Sequence, residues 1–165
     1  PESSRELGTL ENYRFAPGLF FCAASGERLI GYPEVHLQNC TIKHEATGGL
    51  FKPFVRIVKN MRNRLSAESF ISIDTASSYF IESLLYNIPD DLFGTSYVDT
   101  FCNCMNWLLC TDITKFACAH EQYPLVGNGN VQWTCNKCYR FLDMLIMLWN
   151  TWGSMKNEPS DHELH

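Results

Sequence analysis

The segment from position 50 to position 65 restricts the fold of this chain more than any other part of the sequence. Its apolar residues recur at spacings of three and four, which is typical of a helix with one buried face. A long apolar face is stable only when other elements cover it, so the pattern predicts a helical core built around this segment. The stripe consists of Phe51, Phe54, Val55, Val58, Met61 and Leu65.

A second, basic stripe runs beside the apolar one on the same predicted helix. Lys52, Arg56, Lys59 and Asn63 follow one another at i, i+4, i+7 and i+11, so their side chains lie above one another on one face. The 165-residue chain has a net charge of −5, which argues against a protein-wide nucleic-acid-binding surface. The stripe is therefore either a solvated helix face or a local site for an anionic ligand.

Before this helix, the sequence predicts a β-hairpin and a further helix. Two short apolar runs, 18–24 and 28–32, are separated by a Ser-Gly turn and indicate two paired strands. Such a hairpin is marginal by itself, so we expect it to belong to a larger sheet. Pro33 suits the first position of a helix that ends near His44.

Three more helices are predicted after the striped segment. They span 75–87 with Thr75 as the N-cap, 96–110, and 134–152 with Gly153 as the C-terminal cap. The fold class is therefore mainly α with a short N-terminal β-hairpin (α+β). We expect one unit at 1–46, a helical domain at 47–153, and a polar, disordered tail at 154–165.

The sequence contains neither a signal-peptide pattern nor an apolar run long enough to span a membrane. We therefore expect a soluble, cytoplasmic protein with no membrane partner. In that compartment the eight cysteines should be reduced and mostly buried. Two pairs, Cys118-x-His120 and Cys135-x-x-Cys138, come near the spacing of structural zinc sites. Because C-x-x-C on a helix also arises by chance, we regard zinc as unlikely and these four residues as weak candidates.

The helix predicted at 75–87 begins with hydroxyl side chains and an aromatic ring. The free N–H groups at a helix start favour phosphate, and Lys59 on the preceding helix could supply a positive charge. Tyr79 could offer a flat surface on which a base stacks. The alternative is an ordinary capped amphipathic helix with Tyr79 in the core.

Several segments together resemble one protein family. The family is that of the cGAS/DncV-like nucleotidyltransferases. The segments that resemble its recurring segments are 51–63 (FKPFVRIVKNMRN), 77–87 (SSYFIESLLYN), 31–36 (GYPEVH), 106–108 (NWL) and 148–152 (LWNTW). The bacterial members, which make cyclic oligonucleotide signals in anti-phage defence, are most similar. The resemblance extends over 18–152. It implies the helical C-terminal domain of a nucleotidyltransferase-fold protein, with 1–46 as a remnant of the nucleotidyltransferase core.

The resemblance also implies a nucleotide site. In the family, a lysine and a serine contact the donor triphosphate and a tyrosine stacks on its base; these fall on Lys59, Ser78 and Tyr79. Lys52 and Arg56 are further candidates, with a solvated helix face as the alternative. Bacterial relatives usually show A-P-S-Y where this chain has ASSY at 76–79. The missing proline implies a less rigid helix start that keeps the contacting residues.

The catalytic half of the family carries G-S, a D-x-D pair and a third acid, and the sequence has no such set. No catalytic residue is therefore assigned, and whether this chain is an enzyme stays open. We expect the nucleotide-binding part of a cyclic oligonucleotide synthase that binds ATP, GTP or other nucleoside triphosphates and is inactive alone. Mg²⁺ is expected only with the missing catalytic half. That half could lie on the same gene, could be supplied by a partner chain or an intact homologue, or could be lost altogether. The alternative is a non-catalytic nucleotide-sensing or interaction module.

Overall fold

The computed structural model describes residues 18–22, 28–129 and 132–152. Its first elements are two antiparallel strands, β1 (Leu19–Cys22) and β2 (Arg28–Gly31), which pair Leu19 with Gly31. The predicted hairpin is therefore present. The turn predicted between its strands, the cap at Gly153 and the tail at 154–165 lie outside the described residues.

Within the described residues, five α-helices follow the hairpin. They are α1 (Pro33–Ala46), α2 (Phe51–Ala67), α3 (Ser78–Tyr86), α4 (Tyr97–Cys110) and α5 (Cys135–Trp152). Pro33 begins α1, where its missing N–H is not needed, and Ser96 caps α4 by accepting a hydrogen bond from the Asp99 amide. The fold class predicted from the sequence, mainly helical with a short β-hairpin, is confirmed.

The start of α3 differs from the prediction. Thr75 is not the N-cap but the last residue of a short 3₁₀ turn, Ile73–Thr75. Ser77 caps α3 instead, because its hydroxyl accepts a hydrogen bond from the Phe80 amide at 3.2 Å. The guanidinium of Arg62 donates to the Ala76 carbonyl and the Trp133 indole donates to the Thr75 carbonyl at 3.3 Å. These two tertiary contacts hold the segment before Ser77 out of the helix.

The core is organised around α2, which packs against α1, α3, α4 and α5. All six residues of its predicted apolar stripe are buried. Two stacked aromatic pairs belong to the core: Phe80 on Trp133 at 4.5 Å between ring centroids, and Phe101 on Trp149 at 4.0 Å. In the described part of the chain, no helix combines the length and the apolar character required to cross a membrane.

Helix α1 is fixed to the rest of the helical core. The buried ammonium group of Lys43 binds the Ile88 carbonyl and the Asp90 carboxylate, just beyond the end of α3. Between α1 and α2, Gly48 and Gly49 adopt positive φ angles of 60° and 86°, which allow the sharp reversal between the two helices. The boundary between units that we predict at 46/47 thus falls at this turn, and it stays a prediction.

Candidate functional site: a pocket between α1, α2 and α3

The basic stripe of α2 faces a pocket of about 200 Å³ that α1 and α3 complete. Helix periodicity brings the three cations to the same side of α2, with Arg56 exposed and the lysines half-buried. The side chains that line the pocket include His36, Cys40, Lys52, Arg56, Lys59 and Glu82. The three basic residues predicted as nucleotide contacts therefore share one concave surface.

The two lysines are already engaged by neighbouring helices. Lys52 donates to the Thr41 hydroxyl of α1 at 3.2 Å. Lys59 forms an ion pair with Oε1 of Glu82, which lies one helical turn after Ser78 on α3. Among the described residues, none forms an ion pair or hydrogen bond with the Arg56 side chain. The structure therefore orients both ammonium groups rather than leaving them as mobile surface charges.

Glu82 is the acidic centre of the pocket. Its second oxygen, Oε2, lies 2.6 Å from Nε2 of His36 on α1. The hydrogen bond to His36, supported by Lys59, lowers the pKa of Glu82 from its usual 4.5 to about 2, although partial burial opposes the shift. Glu82 is thus ionised at neutral pH and joins three helices.

Tyr79 lies at the edge of the same network. Its side chain is 36% exposed, so it is not a core residue as in the alternative interpretation. Its ring stacks on His36 with 5.0 Å between centroids and an angle of 24°. Burial of the hydroxyl, together with its hydrogen bond to the Cys118 thiol, raises the pKa of Tyr79. The flat face of the Tyr79 ring is therefore held against α1.

Ser78 is the first residue of α3 and its side chain is exposed. Because the first amides of a helix have no intrahelical acceptor and the Ser77 hydroxyl takes only the Phe80 amide, the Ser78 and Tyr79 N–H groups can donate to a ligand. Lys59, Ser78 and Tyr79 thus occupy neighbouring parts of α2 and α3, linked through Glu82 and His36. His36, Cys40 and Glu82 were not predicted from the sequence as site residues.

The four weak zinc candidates do not form a cluster. Cys118 contacts Tyr79, whereas Cys138 is buried in the core on α5. His120 is buried, and burial lowers its pKa; its Nδ1 accepts a hydrogen bond from the Gln122 amide at 3.0 Å. Within the described ranges, one group of three metal-binding side chains is found, and it includes none of these residues.

That group is His36, Cys40 and Glu82, whose ligand atoms lie within 4.8 Å of one another. Nitrogen, sulfur and oxygen donors are typical of zinc rather than of Mg²⁺, which prefers oxygen ligands. Burial raises the pKa of the Cys40 thiol to about 11, so the thiol is protonated at neutral pH. In the structure, the Glu82 carboxylate of this group is paired with the Lys59 ammonium and hydrogen-bonded to His36.

Comparison with known proteins identifies the family of this chain. Residues 38–150 match the cGAS/DncV-like nucleotidyltransferase C-terminal helical domain. The chain is 40% identical over 140 residues to a cyclic UMP-AMP synthase of Rhodothermus marinus, a match that covers 84% of this chain and 48% of that protein. The chain thus spans about half the length of the curated relatives it matches.

Solved structures show the same relationship. The fold is similar to that of the Rhodothermus marinus CdnE c-UMP-AMP synthase with Apcpp and Upnpp, with a TM-score of 0.81 and 36% identity over 94% of this chain and 51% of that one. It is also similar to the Elizabethkingia meningoseptica CdnE cyclic dinucleotide synthase with GTP and Apcpp, with a TM-score of 0.70 and 28% identity over 82% of this chain and 50% of that one. The chain therefore belongs to the cGAS/DncV-like nucleotidyltransferase family, whose C-terminal helical domain it carries.

Proposed function

We propose that this chain is the nucleotide-binding part of a cyclic nucleotide synthase and holds the donor nucleoside triphosphate in the pocket between α1, α2 and α3. Lys59 binds the triphosphate, Ser78 donates to it from the start of α3, and Tyr79 stacks on the base. Lys52 and Arg56 add positive charge along the same helix face. The product belongs to the cyclic nucleotide signals of anti-phage defence.

One observation carries this proposal. The side chains that the family resemblance selects, Lys59 and Tyr79, lie on different helices but meet in a single hydrogen-bonded and stacked network. A cation for phosphate and a half-exposed ring for a base are the two groups that a nucleotide requires. The similar structures contain nucleoside triphosphates or analogues of them, which supports the same class of ligand here.

The chemical step requires residues that this sequence does not supply. Nucleotidyl transfer proceeds at clustered carboxylates that hold two divalent cations. The described residues offer no set of oxygen ligands suited to Mg²⁺, since the single metal-binding group contains a histidine and a thiol. In the proposed synthase, the catalytic half supplies the carboxylates and Mg²⁺, while this chain orients the donor.

The second candidate is a non-catalytic module that senses nucleotides or pairs with an intact synthase. Both candidates use the same pocket. They differ in whether the protein forms a phosphodiester product when it is joined to a catalytic half.

Binding of the donor is tested by titrating the complete protein, with the segment or partner that supplies its catalytic half, against a non-hydrolysable ATP or UTP analogue. Tyr79→Ala should weaken binding at least about fivefold, because base stacking on an aromatic ring contributes about 1–3 kcal/mol. Tyr139→Ala, which removes an exposed tyrosine ring on α5, is the matched control and should not change the affinity. Equal affinity of wild type and Tyr79→Ala would contradict the stacking role.

A further inference from the structure

The carboxylate of Glu82 has one partner on each of two other helices. Oε1 binds the Lys59 ammonium from α2, and Oε2 lies 2.6 Å from His36 Nε2 on α1. The three side chains are largely shielded from water, with exposures of 24% for Lys59, 29% for Glu82 and 11% for His36. The arrangement is thus more constrained than a surface ion pair.

Each of these partners is, or contacts, a group that is proposed to bind one end of the nucleotide. Lys59 is the group proposed to bind the triphosphate. The His36 ring lies against Tyr79, the group proposed to stack on the base. A single side chain on α3 therefore sets both the position of the cation and the support of the aromatic ring.

We propose that Glu82 is the positioning residue of the nucleoside-triphosphate site, which it organises by holding Lys59 and His36 at once. This inference rests on the proposed function of the pocket. Glu82 acts through Lys59 and through the His36–Tyr79 stack, and it does not itself contact the nucleotide.

Holding Lys59 does not prevent it from binding phosphate. An ammonium group has three N–H donors, so a hydrogen bond to Glu82 leaves two for phosphate oxygens. An unrestrained lysine loses considerable rotamer freedom when it binds a ligand, whereas Lys59 has already lost part of it. Because the ammonium group balances the charge of Glu82, the repulsion between the carboxylate and the phosphates is reduced.

The test is a double-mutant cycle on nucleotide affinity in the complete protein, with Lys59→Met, Glu82→Ala and the double variant. We expect Glu82→Ala to weaken binding of the non-hydrolysable analogue about tenfold, as the loss of a pre-ordered cation implies. The double variant should bind little more weakly than the weaker of the two single variants. Tighter binding by Glu82→Ala would show that the carboxylate competes with phosphate, and additive losses would show that it acts independently of Lys59; either result overturns the inference.

Two further variants separate positioning from a general structural role. Glu82→Gln keeps an oxygen that accepts from Lys59 and an amide that can pair with His36, so it should recover most of the lost affinity. Glu121→Ala removes another carboxylate bound to α3, through the Tyr86 hydroxyl at 2.6 Å, and should leave nucleotide affinity unchanged. A Glu82→Gln variant as weak as Glu82→Ala would contradict positioning by geometry.

The same measurements distinguish this inference from the proposed function. If wild type does not bind the analogue, the proposed function fails and the inference falls with it. If wild type binds and Tyr79→Ala weakens binding but Glu82→Ala does not, the pocket is the nucleotide site and only the role of Glu82 is wrong.

Discussion

At the scale of single residues, the ionised state of Glu82 is maintained by its neighbours more than by water. The pKa of Glu82 is lowered to about 2, mainly by the hydrogen bond to His36 and then by Lys59. A carboxyl group whose pKa is lower in the folded protein than in the unfolded chain stabilises the fold above its usual pKa. That contribution disappears as the pH falls from about 4.5 towards 2 and the group becomes protonated in both states.

The pH dependence gives a direct test. Relative to Glu82→Gln, wild type should gain a pH-dependent stability on the order of 3 kcal/mol between pH 2 and pH 6, from the shift of the Glu82 pKa. The measurement is the free energy of unfolding by urea across this range for both proteins. A difference that does not change with pH would show that the Glu82 pKa is not lowered in the fold.

The sequence predicted some of these residues and missed others for a physical reason. Lys59 and Tyr79 come from a family resemblance and from helix periodicity, which are local signals. The partners of Glu82 lie 23 and 46 positions away along the chain. Periodicity shows which face of a helix is polar but not which polar side chain it meets, so Glu82 and His36 became apparent only with the packing of α1, α2 and α3.

At the scale of elements, the first turn of α3 shows how tertiary contacts choose between two possible caps. Thr75 and Ser77 are both suitable N-cap residues, and the prediction from the sequence was Thr75. The Arg62 guanidinium and the Trp133 indole bind the carbonyls just before Ser77, so the helix begins there. The existence of α3 was predicted from the sequence, whereas its exact start depended on residues from α2 and from the loop before α5.

The start of α3 also predicts how a proline would be tolerated. Ser77 has φ −66°, which the proline ring requires, and Ala76 before it is extended with φ −145°. Ser77→Ala should lose about 1 kcal/mol with the cap. Ser77→Pro loses the same cap but restricts the unfolded chain, so it should be about 0.4–1 kcal/mol more stable than Ser77→Ala. Urea unfolding of both variants measures the difference.

Ser96 provides the matched control at the start of α4. It makes the same kind of cap, but its φ of −129° does not fit a proline ring. Ser96→Pro should therefore be less stable than Ser96→Ala, the reverse of the order at Ser77. If proline is worse than alanine at both positions, the backbone at Ser77 is not preorganised for proline.

At the scale of the whole molecule, the central position of α2 follows from its apolar stripe. The stripe predicted a helix that other helices must cover, and the structure surrounds it with α1, α3, α4 and α5. The same helix presents its basic stripe to the pocket. Which helices cover α2, and in which order, was not predictable, because an apolar face specifies burial without specifying its partner.

In the proposed synthase, this chain binds the donor and the catalytic half supplies the carboxylates. This proposal predicts whether the chain alone forms a product. Incubated with ATP, GTP, UTP and Mg²⁺, it should form no dinucleotide, because nucleotidyl transfer needs carboxylates that hold two metal ions. Mass spectrometry of the reaction mixture measures the product, and the Rhodothermus marinus cyclic UMP-AMP synthase serves as the positive control. A cyclic dinucleotide made by this chain alone would contradict the proposed dependence on a catalytic half.

The proposed nucleotide pocket also lies within a short stretch of the chain. Its lining side chains all fall between His36 and Glu82, although they come from three helices. A genetic exchange whose crossover points lie outside this stretch would transfer the ion pair, its histidine and the tyrosine together. A crossover point within α2 would separate Lys52 from Lys59. The hybrid would then take only part of the pocket from each parent. The side chains of this pocket are therefore inherited together unless a crossover falls between His36 and Glu82.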